Sequence, residues 1–264
     1  MIKGNTSNEW ALILGGSSGL GLATAKKLAG KGFNIIIVHR DKKSDLQKVE
    51  SNFNEITLSG VAFQNYNVDA LHAEKRTALV QQLKEVLGPE GKIQVLVHSI
   101  AKGNLKAMRS SAGRVLGNAD FHLTLDAMAI NLYDWAQQLI QERLFTSDAR
   151  IVAFTSEGSS RAWPNYGAIS AAKAALEAIV RNMALEFAPL GIKANCIQAG
   201  ITETKSFKMI PGHETLRKNA LERNPQGRLT RPEDVANATY LLCTEEASWI
   251  TGTVIKVDGG ESLQ

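Results

Sequence analysis

Cysteine is nearly absent. Cys196 and Cys243 are the only two in 264 residues, and they fall in no metal-binding or redox spacing. A disulfide-stapled secreted fold is therefore set aside, and both are read as small buried side chains in a reducing compartment. Long apolar runs are missing too: none approaches the roughly 20 residues that span a bilayer. The opening MIKGNTSNEW has no apolar export-signal core, so the expected location is cytoplasmic and no membrane partner is expected. The five histidines (His39, His72, His98, His122, His213) share no ligand spacing, and no metal is expected. A formal charge of +4, spread along the chain without aromatic interleaving, gives no reason to expect a nucleic-acid partner. No repeat, low-complexity block or linker divides the chain. Residues 9–264 are read as one domain after a polar tail, 1–8.

What is present is an alternation of short β-branched runs and longer amphipathic segments. Strands are predicted at Ala11–Leu14, Asn34–Val38, Val61–Val68, Ile93–Ser99, Arg150–Ser156, Lys193–Ala199 and Thr253–Val257. Several are apolar almost throughout, as strands covered on both faces must be. Helices are predicted at Leu20–Leu28, Ala73–Leu87, Leu125–Leu144, Ala168–Phe187 and Pro232–Leu242. The alternation implies an α/β fold: a Rossmann-type doubly wound parallel sheet of about seven strands with helices on both faces. Sites in such sheets lie beyond the carboxyl ends of the strands.

The first such end is LILGGSSGLGLATAKKLA, with Gly15, Gly19 and Gly21 in G-x-x-x-G-x-G spacing. Glycines there permit a tight turn and a close backbone approach to a pyrophosphate, which the N–H groups of the new helix face. Gly15, Ser17, Ser18, Gly19, Leu20 and Gly21 are thus cofactor candidates. The second strand ends IIIVHRDKK, with His39 where a carboxylate would bind the ribose 2′-hydroxyl of NAD, and Arg40 after it. A guanidinium binds a 2′-phosphate where a carboxylate repels it, so His39 and Arg40 favour NADPH. Asp41 is the residue that argues against this.

The glycine turn, YNVD (Tyr66–Asp69), HSIA (His98–Ala101), Asn131, Ser156, the YGAISAAK segment (Tyr166–Lys173) and VDGG (Val257–Gly260) stand in the order found in short-chain dehydrogenases/reductases. The chain resembles that family over nearly its whole length. Most members carry a tyrosine four residues before the lysine, but here that position is Ile169. Tyr166 precedes Lys173 by seven instead, which resembles the enoyl-acyl-carrier-protein reductase branch with Y-x6-K spacing and a retained G-x-x-x-G-x-G turn. HSIA in place of N-N-A-G points the same way. The second active-site tyrosine of the altered-loop enzymes, ten residues before Tyr166, is here Ser156. Counted from Lys173, Ser156 also falls where ketone-reducing members carry their serine.

The resemblance implies Asn67 and Val68 against the adenine, and Ser99, Ile100 and Ala101 along the cofactor. It further implies Thr202 at the nicotinamide carboxamide, Thr204 near phosphate, Lys173 on the ribose hydroxyls, and Asn131 ordering a relay water near the lysine. Tyr166 would donate to the developing enolate oxygen. On an ideal helix a seven-residue separation returns to nearly the same face about 10.5 Å along the axis, against about 6 Å for four. A donor moved outward suits an enoyl thioester, whose charge develops on an oxygen remote from the carbon receiving hydride.

Residues 201–228 are read as a substrate-covering lobe, with Phe207, Met209 and Ile210 joining Ile169 as an apolar lining for an acyl chain. Lys205, Lys208, Arg217 and Lys218 beside them would suit an acidic acyl carrier protein. The closing segment resembles the family's subunit-packing strand and implies a homotetramer. The expected function is NADPH-dependent reduction of a trans-2-enoyl thioester in fatty-acid elongation. A 3-oxoacyl thioester or small-carbonyl reductase is the nearest alternative, and a non-catalytic NADP(H)-sensing protein is the alternative of another class.

Overall fold

The computed structural model describes residues 8–111 and 113–264. Of the expected 1–8 tail, residues 1–7 lie outside the described residues, and Asn8 is exposed. Strands β1 (Glu9–Leu14), β2 (Asn34–His39), β3 (Phe63–Asn67), β4 (Lys92–His98), β5 (Phe145–Ser156), β6 (Lys193–Ala199) and β7 (Val254–Val257) form one sheet in the order β3-β2-β1-β4-β5-β6-β7. All six pairings are parallel.

Successive strand residues point to opposite faces, and each face needs its own cover. Leu12, Leu14, Ile36, Val38, Leu96 and Ile151 pack on one side. They meet α3 (Ala73–Leu87), α5 (Asn131–Gln141) and α6 (Gly167–Glu186) through Leu83, Trp135 and Leu176. Ala11, Ile13, Ile35, Ile37, Val95 and Val152 take the other side. There they meet α1 (Gly19–Ala29), α2 (Leu46–Leu58) and α9 (Pro232–Leu242) through Leu28, Phe53 and Val235. Among the described residues no helix is long and apolar enough to cross a membrane.

The strand and helix expectations hold with local corrections. The predicted helix Leu125–Leu144 is interrupted: α4 (Asn118–Leu125) runs into a π-turn at Asp126–Ile130 before α5 begins. A wider turn of this kind commonly marks a functional segment. Helix α2 was not expected, because its three buried positions, Val49, Phe53 and Ile56, are scattered among polar residues. Strand β3 is shorter than Val61–Val68 and lies at the sheet edge, half exposed. The 201–228 segment carries two helices, α7 (Lys205–Lys208) and α8 (His213–Arg223).

At the amino end of the sheet, Arg150 is 2 % exposed. It donates to both carboxylate oxygens of Asp148 at 2.6 and 2.9 Å, while its Nε donates to the Leu242 carbonyl at 3.1 Å. The hydrogen bond from Arg150, helped by Lys193, holds the Asp148 carboxyl down at about 2. A depressed carboxyl stabilises the fold above its unfolded pKa near 4, and that contribution fades as pH falls toward 2. Asp148→Asn is therefore expected to lower Tm at pH 7, with the gap to wild type narrowing from pH 4 downward in thermal melts. The loss should be about 1 kcal/mol or less, since the carboxylate is half exposed and screened.

Candidate active site

The strand order reverses beside β1, where β2 leaves to one side and β4 to the other. The register aligns Leu14 with His98, and His98 with Ala153, so the carboxyl ends of β1, β4 and β5 open into one cleft. Its volume is about 560 Å³. Gly15 turns there with φ of +86°, and a Cβ on it would stand 2.7 Å from the Ser99 carbonyl oxygen. A Cβ on Gly21 would meet the Gly15 oxygen at 2.3 Å. Only glycine permits this turn to close against β4. Ser18 enters α1 with extended backbone, and no acidic residue occupies the first helical turn. The amino end of α1 therefore presents N–H groups and an uncompensated positive dipole end, which suits a pyrophosphate.

Ser17, Ser18, Gly19 and Leu20 line the cleft, whereas Gly21 sits behind the turn and shapes it. Thr204 leans over Gly19, with its Cγ2 3.3 Å from where a Cβ would be. Thr202 also lines the cleft, its hydroxyl turned back to the Gly200 carbonyl at 2.9 Å. Val68, Ser99, Ile100 and Ala101 form the walls beyond β3 and β4.

At the tip of β2 the His39 ring points largely inward, 4 % exposed. Its Nδ1 lies 2.8 Å from the Asp41 carboxylate and its Nε2 3.4 Å from the Asn65 oxygen. Arg40 is more exposed and donates to Asp69 at 2.9 Å. Arg40 and Asp41 both line the cleft, so the guanidinium and an opposing carboxylate stand side by side. Asn67 does not line it. Its amide grips the Asp41 backbone instead, accepting from the N–H at 2.9 Å and donating to the carbonyl at 3.1 Å. That residue also braces the β2 loop.

Tyr166 and Lys173 share the deep end of the cleft. Tyr166 does not belong to the helix proper: it is the N-cap of α6, with φ of −106° and ψ of 3°. The chain reaches it through Asn165 at φ of 64°, a left-handed conformation that asparagine tolerates. Ideal helix periodicity therefore does not apply to the Tyr166–Lys173 separation. The phenol is buried, which raises its pKa; the neighbouring Ser156 hydroxyl pulls the other way. That contact is longer or more bent than a normal hydrogen bond, and Ser156 Oγ is buried with no other partner. Lys173 Nζ donates to the Phe154 carbonyl at 2.6 Å. Burial pushes its ammonium down to about 8, with Cys196 and Glu177 opposing that shift. Asn131 lies behind this wall. Its Nδ2 donates to the Ala70 carbonyl at 2.9 Å, and its Oδ1 is buried without a partner.

An apolar pocket surrounds the phenol. Tyr166, Ile169, Met128, Ala127 and Ala172 form one cluster, with Leu105, Trp163 and Ile210 packed on it. Phe207 is buried on α7, whose first turn is capped by Thr204 Oγ1 accepting from the Phe207 N–H at 3.2 Å. Met209 lines the cleft but is mostly exposed. Trp163, edge-on to Tyr166 at 5.1 Å, was missed by sequence reading, although an aromatic three residues before the tyrosine could have been flagged. Glu157 and Glu261 were missed as well. Both line the cleft, and both bond Arg223 of α8 at 3.0 Å, a pairing between distant segments that no spacing announces.

The family described as "Enoyl-(Acyl carrier protein) reductase" matches residues 15–262. The chain belongs to the short-chain dehydrogenases/reductases, close to their enoyl-acyl-carrier-protein reductase branch. It is 30% identical to 1-cyclohexenylcarbonyl-CoA reductase of Streptomyces collinus, over 96% of this chain and 86% of that protein. A (2S)-[(R)-hydroxy(phenyl)methyl]succinyl-CoA dehydrogenase subunit of Thauera aromatica is 29% identical over 97% of each chain. The crystal structure of enoyl-[acyl-carrier-protein] reductase (NADH) from Aquifex aeolicus superposes with a TM-score of 0.83 at 25% identity, covering 97% of each chain. The short-chain reductase fold implies a nicotinamide cofactor and an oxidoreductase, and the glycine turn with the open end of α1 fits the cofactor's phosphates.

Gly158 tests the pocket. Its φ is ordinary, but a Cβ there would lie 2.6 Å from Tyr166 Cε1. Gly158→Ala is expected to displace the phenol and cut kcat by about tenfold or more, since misplacement by an ångström is costly. Steady-state kinetics beside thermal melts would check this: kcat should fall while Tm and cofactor affinity change little.

Proposed function

We propose that the chain is an NADPH-dependent reductase of trans-2-enoyl thioesters that delivers an acyl chain for fatty-acid elongation. The observation that carries the reading is the buried phenol of Tyr166 facing an apolar pocket, with Ile169 at the position a ketone-reducing tyrosine would take. When bound, the nicotinamide supplies the hydride. Tyr166 donates to the thioester carbonyl oxygen as enolate charge develops, and its raised pKa keeps the donor protonated at neutral pH. Lys173 holds positive charge beside the phenol, and Ile169, Phe207 and Ile210 exclude water from the acyl chain. Asn131 orders a water behind Lys173. The identity of about 30% to a CoA-thioester reductase supports a thioester substrate.

A second reading, reduction of a 3-oxoacyl thioester, is favoured by one observation: the buried Ser156 hydroxyl stands beside Tyr166 and acts on its phenol. For NADPH the supporting group is Arg40, whose partner Asp69 takes one of its nitrogens. The carrier-protein reading has thinner support. Lys205 pairs with Asp45, Arg217 with Glu203 and Lys218 with Glu222, which leaves Lys208 as the member of that rim without an ion pair among the described residues. Assembly into a homotetramer fits the exposed Trp249 and Leu263 near the carboxyl terminus, 96% and 80% exposed.

NADPH oxidation with crotonyl and acetoacetyl thioesters, side by side, tests the reaction. Crotonyl turnover should dominate, and Tyr166→Phe should lower kcat by about 10²–10³ without weakening the cofactor. Robust acetoacetyl reduction with a large Ser156→Ala defect would replace this reading with the second.

Cofactor choice has its own check. Arg40→Ala should raise the NADPH KM about tenfold, near 1.5 kcal/mol for one charge-assisted contact, and leave the NADH KM unchanged.

A further inference from the structure

His98 is the last residue of β4 and is 1 % exposed. Neither of its buried ring nitrogens makes a hydrogen bond of normal length and angle. Burial, then the charge of Lys173, pushes the imidazole down to about 3, while Asn131 stands near enough to oppose that through a longer hydrogen-bonding contact. The ring is therefore neutral at neutral pH, with one N–H and one lone pair to satisfy. Asn131 has the complementary need. Its Nδ2 is fixed on the Ala70 carbonyl, which also accepts from Trp135 Nε1 at 3.0 Å. That anchor directs the buried, unpartnered Oδ1 the other way. Lys173 has three N–H groups and spends one on the Phe154 carbonyl. His98, Asn131 and Lys173 thus bring unmet donors and acceptors to one dry place. Buried orphans of this kind are ordinarily satisfied by an ordered water with two to four polar partners.

We propose that His98 is a positioning residue that, together with Asn131, holds a buried water against the Lys173 ammonium and so maintains its proton affinity. The water accepts from Lys173 Nζ and donates to Asn131 Oδ1 and to the unprotonated ring nitrogen of His98. The inference rests on Lys173 belonging to the active site, but not on whether the substrate is an enoyl or a keto thioester. Other groups act on the same ammonium: Cys196 from β6, raised by burial to about 12 and so a neutral thiol, and Glu177 from α6. The Glu177 carboxylate is held by the Thr155 hydroxyl at 2.6 Å.

The test compares His98→Leu, which removes both nitrogens, with His98→Asn, which keeps an amide donor and acceptor. The readouts are the pH dependence of NADPH Kd, followed by nicotinamide fluorescence, and of kcat. The unaltered enzyme should lose affinity and rate as Lys173 deprotonates near pH 8. In His98→Leu that limb should move down by about 0.5–1 pH unit, the size of one lost hydrogen bond to the ammonium, and His98→Asn should return it. An unmoved limb with a lower Tm would overturn the proposal and leave His98 as packing. A high-resolution crystal structure of the unaltered apoprotein decides the case even if His98→Leu does not fold. Water within about 3.2 Å of His98, Asn131 and Lys173 supports the proposal; a direct His98–Asn131 bond with no water at Lys173 overturns it.

Discussion

Everything in the cleft depends on how closely β1 and β4 approach at their carboxyl ends. Parallel pairing aligns Leu14 with His98, and the chain leaving β1 must then turn beneath the Ser99 carbonyl with no room for a side chain at Gly15. That single steric constraint places the amino end of α1 over the crevice. It also sets Ser99, Ile100 and Ala101 as one wall and leaves Thr204 to close over Gly19 from the opposite side. Were the two strands spaced apart by one more residue, the phosphate-facing turn and the Tyr166–Lys173 end would no longer share a cavity.

The deep end of that cavity is governed by the expense of burying charge. An ammonium removed from water needs hydrogen-bonding partners, and Lys173 finds one in the Phe154 carbonyl of the neighbouring strand. Its pKa still falls to about 8, so the side chain is charged at neutral pH but only just. The Tyr166 phenol moves the opposite way, toward the protonated form. Burial thus keeps the phenol a hydrogen-bond donor, while Cys196, Glu177 and the Phe154 carbonyl offset its cost to the Lys173 cation; a donor and a neighbouring cation are what stabilise a developing oxyanion.

Relatives of this chain share the fold while their names span reductases and a dehydrogenase, on CoA thioesters and on acyl carrier protein. The scaffold therefore fixes where hydride transfer occurs, and the loops choose the substrate. Around the cleft of this chain stand the Leu105 segment, the Trp163–Tyr166 turn and α7. Arg223 ties α8 to the end of β5 through Glu157 and to the carboxyl-terminal segment through Glu261. The cover over the pocket is thereby anchored to the strand that carries Ser156.

By itself the sequence determined the sheet, the glycine turn and the family. Apolar runs, strict glycine needs and motif order are local properties, readable wherever a residue's neighbours in the chain decide its environment. Helices Ala73–Leu87 and Pro232–Leu242 and strand Lys193–Ala199 were legible to the residue for that reason. Tertiary structure decided the rest. Helix α2 forms because Phe53 is taken up by His39 and Phe63 at 5.7 and 5.2 Å, contacts from two other strands. Asn67 braces the β2 loop because the Asp41 backbone, 26 residues away, offers both a donor and an acceptor. Three of the four rim cations stand beside Asp45, Glu203 and Glu222, neighbours that only the folded chain supplies to Lys205 and Arg217. The Tyr166–Lys173 spacing was plain in the sequence, but the phenol's position was set by a left-handed Asn165 and by Trp163, because where a side chain ends up depends on what packs against it.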